Sequence, residues 1–152
     1  MRSLFRVYFL SAILPSLFPV FLPAQPPAQT PSCYDTALTQ SAMNACASQE
    51  LRQAESAMKA AYSQLLARAS AANPNATRKI EAAQHAWEAF LDAQLDATFA
   101  AAGKREYGSV YPMCFAQLRR QLILERTAQL SQMLTPAAEG EVCTGDRYPQ
   151  PR

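Results

Sequence analysis

Residues 62–91 read YSQLLARASAANPNATRKIEAAQHAWEAFL, and the Asn73-Pro74 pair near their centre decides the fold. Asparagine caps helix starts well, and proline suits a first helical position, where its missing N–H is not needed. The pair therefore predicts two helices folded back on one another as a hairpin. Upstream, Met43, Ala47, Leu51, Ala54, Met58, Ala61, Tyr62 and Leu65 recur at helical spacing, which predicts a first helix from an N-cap at Thr39 to about Ala69. Downstream, Ile80, Ala83, Trp87, Phe90, Leu91 and Phe99 predict a second helix from Pro74 to about Ala102, with Trp87 and Phe90 in the core.

Gly103 is expected to end that helix, and residues 103–112 read as a loop carrying Gly108 and Ser109. A third helix is expected after Pro112, running to about Leu134 with Leu118, Leu122, Ile123, Leu130 and Leu134 facing inward, before Pro136 stops it. The chain has only four glycines and no valine- or isoleucine-rich alternation of the kind strands need. The fold class is therefore all-α, an antiparallel three-helix bundle over residues 33–134, followed by an irregular tail at 135–152.

The N-terminal stretch reads as a cleavable export signal, residues 1–24. Arg2 and Arg6 are followed by an apolar run from Val7 to Leu22 and then by Pro23-Ala24. The run is broken by Pro15 and Pro19 and is shorter than the ~20 residues needed to span a bilayer. Thr30-Pro31-Ser32 ahead of Cys33 lacks the small-residue box of a lipoprotein. Residues 25–32 form a proline-rich linker, and the expected location is the periplasm or the outside of the cell.

Without residues 1–24 the 152-residue chain retains 128, enough for one domain with its own core. Two of the 14 Lys and Arg, Arg2 and Arg6, leave with the signal, so 12 remain against 12 Asp and Glu. A formally neutral chain without a basic cluster has no footprint for nucleic acid.

Chemistry is sparse. His85 is the only histidine, and no serine or cysteine lies in a nucleophile motif. Glu81, His85, Glu88 and Asp92 share one face of the second helix, but a di-metal site needs a second histidine from a facing helix. The face reads as solvated surface. No catalytic residue, metal ligand or cofactor motif is identified, and the chain is not expected to be an enzyme.

Cys33, Cys46, Cys114 and Cys143 are separated by 12, 67 and 28 residues, without the close pair common in structural zinc sites. In an exported chain they predict disulfides, and three connectivities are possible. A rise of 1.5 Å per residue puts Cys46 and Cys114 at similar heights near one end of the bundle. The preferred pairs are accordingly Cys46 with Cys114 and Cys33 with Cys143. The latter would tether both terminal segments and restrict the unfolded chain by ~4–5 kcal/mol.

Several blocks, namely Cys33, Thr39-Gln40, Met43-Asn44 with Cys46, Ala83-Gln84 with Ala86-Trp87, Phe90 with Asp92-Ala93, Cys114, and Arg126-Thr127, resemble the LprI-type lysozyme inhibitor domain. The resemblance covers about Cys33 to Leu134. It implies a small exported helical domain that binds and inhibits lysozyme, and it transfers scaffold residues: the cysteines, Trp87, Phe90 and Asn44. Family members often carry a cysteine where this chain has Leu95, which implies that Cys143 replaces that lost partner.

An inhibitor can use a protruding loop, an acidic patch or both against a cleft with two catalytic carboxylates. Lys104, Arg105, Tyr107 and Tyr111 are the candidate partner-binding residues on the loop. Glu81, Glu88, Asp92 and Asp96 offer the acidic alternative on the second helix. A second functional class remains open, an envelope module that binds another protein or a small ligand without inhibiting lysozyme.

Overall fold

The computed structural model describes residues 32–100, 104–143 and 148, all within one compact unit, Pro31–Arg152. The export signal, most of the proline-rich linker, and Gly103 lie outside the described residues. Three helices dominate: α1 (Gln40–Ala72), α2 (Pro74–Thr98) and α3 (Tyr111–Leu134). Two 3₁₀ segments, Cys33–Asp35 and Lys104–Val110, precede α1 and α3. No strand occurs among the described residues, and none of their helices is long and apolar enough to cross a membrane.

The hairpin turns on one residue. The backbone N–H of Asn73 donates to Ala69 at 2.8 Å, closing α1, while its side-chain oxygen accepts from the N–H of Asn75 at 2.9 Å, opening α2. Pro74 occupies the first turn of α2, as the sequence predicts. Thr39 caps α1 by accepting from the N–H of Ala42 at 3.1 Å.

The chain runs up, down and up. Asn44 of α1 meets Ser109 just before α3, and Arg68 near the end of α1 donates to the Leu134 carbonyl at 2.7 Å, so α1 and α3 run parallel. α2 is antiparallel to both, and the most extensive contact is between α1 and α3. Its seam has a seven-residue repeat on each side. Ala47, Ala54 and Ala61 line α1; Ala116, Ile123 and Leu130 line α3; all six are buried. A strict seven-residue spacing keeps one stripe facing a neighbour along its length. Alanine on one side leaves room for isoleucine and leucine on the other.

Two apolar clusters fill the bundle. Ala61, Leu65, Ala69, Ile80 and Leu130 gather towards the Asn73 turn, and Ala54, Leu91, Leu95 and Ile123 lie further along. Trp87 is half-buried against the second cluster. Phe90 is not in the core: it is 52 % exposed. The buried stripe of α2 runs Ile80, Gln84, Leu91, Leu95, and Phe90 is turned about 100° away from Leu91 around the helix. Ala83 is exposed for the same reason.

α2 also ends earlier than its alanine-rich sequence suggests, at Thr98 rather than near Ala102. Phe99 leaves helical geometry (φ −109°, ψ 52°) and its ring packs edge-on against Tyr107 and Tyr111, with centroids 5.5 and 5.3 Å away. Tertiary aromatic packing here overrides the helical propensity of alanine.

The expected disulfides are corrected. Cys33 bonds to Cys46, with Cα atoms 5.7 Å apart, and Cys114 and Cys143 are free. The 3₁₀ turn at Cys33–Asp35, closed by reciprocal bonds between Ser32 and Asp35, folds the segment before α1 back onto that helix. Local chain reversal thus brings Cys33 to Cys46 without any long-range loop. The C-terminal segment is consequently not tethered through Cys143. Tyr148 instead packs against the cluster nearest the Asn73 turn.

Candidate functional site

Lys104–Val110, just ahead of α3, is a short, anchored 3₁₀ structure, not an irregular loop. At Gly108 the backbone enters the left-handed region (φ 67°, ψ −163°), which a glycine adopts without a Cβ clash. The next residue, Ser109, is fixed from across the bundle: the Asn44 amide donates to its carbonyl at 3.0 Å. Asn44 is itself oriented by Gln40, whose amide nitrogen donates to Asn44 Oδ1 at 2.9 Å and lies 4.0 Å from Met113 Sδ. Asn44, Arg105, Gly108, Ser109, Tyr111 and Pro112 then line one shallow open groove.

The four loop residues singled out by sequence do not act alike. Tyr107 and Tyr111 are half-buried and stack at 5.5 Å, and with Phe99 and Phe115 they form an aromatic cluster that braces the segment. Arg105 is exposed, and among the described residues it makes no ion pair. Its neighbour Glu106 is also exposed. Lys104 opens the segment.

The acidic face of α2 is partly committed inside the molecule. Glu88 accepts from the Gln84 amide at 3.2 Å and lies 3.5 Å from His85 Nδ1. Asp92 lies 3.5 Å from Arg119, which also donates to Glu55 at 3.3 Å and so ties α3 to both other helices. Asp96 is exposed and Glu81 half-buried.

A second feature was not predicted. Gln84 is only 4 % exposed, and its side-chain oxygen accepts from Arg126 Nε at 3.1 Å. The same guanidinium donates to Gln129 at 3.1 Å and lies 5.7 Å from the centre of the Trp87 ring. Burial lowers the pKa of Arg126, an effect opposed by the negative charge of Glu88 and by Tyr62. Burial likewise raises the pKa of Tyr62, helped by Glu81 and Glu88 and opposed by Arg126. Beside this layer a cleft of about 340 Å³ opens among Tyr62, Gln84, Trp87, Glu88, Arg119 and Ile123. The sequence signal was a polar residue, Gln84, four residues after Ile80 and seven before Leu91 in an otherwise apolar stripe.

These two places hold several of the residues on which the sequence resemblance rests. Thr39, Gln40, Asn44 and the Cys33–Cys46 bridge gather at the N-terminal end of α1, and Gln84, Trp87 and Arg126 form the polar layer. Comparison with protein-family models matches residues 33–130, well over half of the chain, to the model described as "Lysozyme inhibitor LprI". The chain belongs to the LprI family. No curated protein and no solved structure matches it. The LprI match begins at the bridging Cys33 and ends at the buried Leu130, so it takes in both sites and the whole α1–α3 seam up to its last layer.

Proposed function

We propose that the protein is exported, is not an enzyme, and inhibits a lysozyme by presenting the Lys104–Val110 segment to the enzyme's cleft. Membership of the LprI family carries this reading. A glycoside hydrolase cleft of this kind holds two carboxyl groups flanking the scissile bond. An arginine is the side chain best suited to bind a carboxylate with two parallel hydrogen bonds. Arg105 is exposed and free of internal ion pairs among the described residues, on a segment braced by four aromatic rings and by Asn44. A segment already fixed in its binding shape loses little conformational freedom on docking.

The test is a cell-wall clearing assay in which the protein purified from the cell envelope is titrated against lysozymes of different classes. Inhibition should approach completion near equimolar ratio for the cognate class, and Arg105→Glu should raise the concentration required by about tenfold or more. Full clearing at large molar excess for every class tested would reject the proposal.

The cleft beside Trp87 supports a second reading, an envelope module that binds a small ligand between its helices. Pockets that join an aromatic wall to a few polar groups are common ligand sites. Under this reading Arg105→Glu leaves binding unchanged.

A further inference from the structure

α2 is apolar on two opposite faces. Its core face is Ile80, Leu91 and Leu95 around Gln84. Its outer face carries Ala82, Ala86, Ala89 and Ala93, flanked by Ala83 and by Phe90, and all six are exposed. A surface helix ordinarily turns charged and polar residues outward there. The outer residues also follow a 3-4 repeat with alternate rows: Lys79, Ala86 and Ala93 form one row, and Ala82, Ala89 and Asp96 the other. Lys79 and Asp96 are exposed, and neither makes an ion pair among the described residues.

We propose that this face is a homodimer interface, in which two copies of the chain pack α2 against α2 antiparallel. In an antiparallel helix pair, a residue of one row shares a layer with a residue of the other row on the facing helix. A two-fold axis midway between Ala86 and Ala89 sets Ala86 against the partner's Ala89 and Ala82 against the partner's Ala93. The same axis sets Lys79 against the partner's Asp96. Two-fold symmetry repeats each contact, so four alanine layers are closed at both ends by opposite charges. The contact spans roughly 26 Å at 1.5 Å per residue.

The charges select both the occupant and the direction. A parallel pair in register would set Lys79 on the partner's Lys79 and Asp96 on the partner's Asp96, and like charges in contact disfavour that arrangement. The self-complementary order, cation, four alanines, anion, fits a second copy read in reverse. Phe90 then lies on the flank beside the partner's Ala83, which gives an exposed aromatic ring an apolar surface to cover.

Sedimentation equilibrium of the full protein purified from the envelope tests this, in a Cys143→Ser background so that the exposed thiol forms no crosslink. A reversible dimer is expected at micromolar to submillimolar concentration. Ala86→Glu with Ala89→Glu should give a monomer with unchanged helical circular dichroism. Lys79→Glu alone should weaken association by about tenfold, and adding Asp96→Lys should restore it. A wild-type protein that stays monomeric throughout the range overturns the proposal. So does a dimer that survives the paired glutamates, or a charge-swapped variant no tighter than Lys79→Glu alone.

Discussion

Arg126 Nε donates to Gln84 Oε1 at 3.1 Å, joining α3 to α2 through two side chains 42 residues apart in sequence. The bond lies in an otherwise apolar stripe, where an unmatched polar group costs more than a matched one contributes. Gln84→Ala removes the acceptor from a partly buried guanidinium and should destabilise the fold by about 1–3 kcal/mol in urea unfolding. A double-mutant cycle with Arg126→Ala should return a coupling of about 1 kcal/mol or more. A coupling within about 0.3 kcal/mol of zero would show that the two residues act independently.

The same layer gives a pH signature. Burial and the nearby Glu81 and Glu88 hold the Tyr62 phenol above its ordinary pKa of 10.0. The folded protein therefore keeps this proton more tightly than the unfolded chain does. The resulting stabilisation is fully present below pH 10 and is lost as pH rises through the elevated folded value. Melting temperature recorded from pH 8 to pH 12 should fall less steeply in Tyr62→Phe than in the wild type. Parallel curves for the two proteins would count against a raised phenol.

Phe90 and Ile123 separate what apolar spacing reveals from what it hides. Ile123 is fully buried between α1 and α2, whereas Phe90 faces outward. Ile123→Ala should cost about 2–5 kcal/mol, and Phe90→Ala should change monomer stability by less than about 1 kcal/mol. Denaturant titration at high dilution distinguishes them. Comparable losses at the two positions would place Phe90 in the core after all.

The number and order of helices, the Asn73 turn and the Thr39 cap were legible because each rests on local chemistry: capping, proline placement and apolar period. Phe90 was misplaced because an apolar residue one position from a core residue satisfies a loose helical pattern while pointing elsewhere. The Phe99 break and the aromatic brace were hidden for another reason. They depend on Tyr107, Tyr111 and Phe115 meeting Phe99 in space, which no local pattern encodes. Arg105 is a candidate by its type alone, but the anchoring of its segment depends on the contact of Asn44 with Ser109, 65 residues away in sequence.

The cysteines test that distinction directly. Comparing heights along an ideal bundle favoured Cys46 with Cys114, yet the turn before α1 brings Cys33 to Cys46. Peptide mapping of the non-reduced protein should recover a Cys33–Cys46 crosslink, while Cys143 reacts readily with a thiol reagent. Cys33→Ser with Cys46→Ser should lower stability by about 3 kcal/mol, as expected for a loop of this length. Recovery of a Cys46–Cys114 peptide would reverse the assignment.

Asn44 offers the sharpest separation of scaffold from function. Its amide holds the Ser109 carbonyl at 3.0 Å, next to the left-handed Gly108 and four residues from Arg105. Asn44→Ala leaves the two apolar clusters untouched and removes two neutral side-chain hydrogen bonds, one to Ser109 and one from Gln40, a loss of about 1–2 kcal/mol. If the Lys104–Val110 segment is the inhibitory element, freeing it should weaken lysozyme inhibition by about tenfold, because the segment must then be ordered on binding. Inhibition titrations beside thermal melts of the same samples provide the check. Unchanged potency in a folded Asn44→Ala protein, with Arg105→Glu also silent, would move the inhibitory surface away from this end of the bundle.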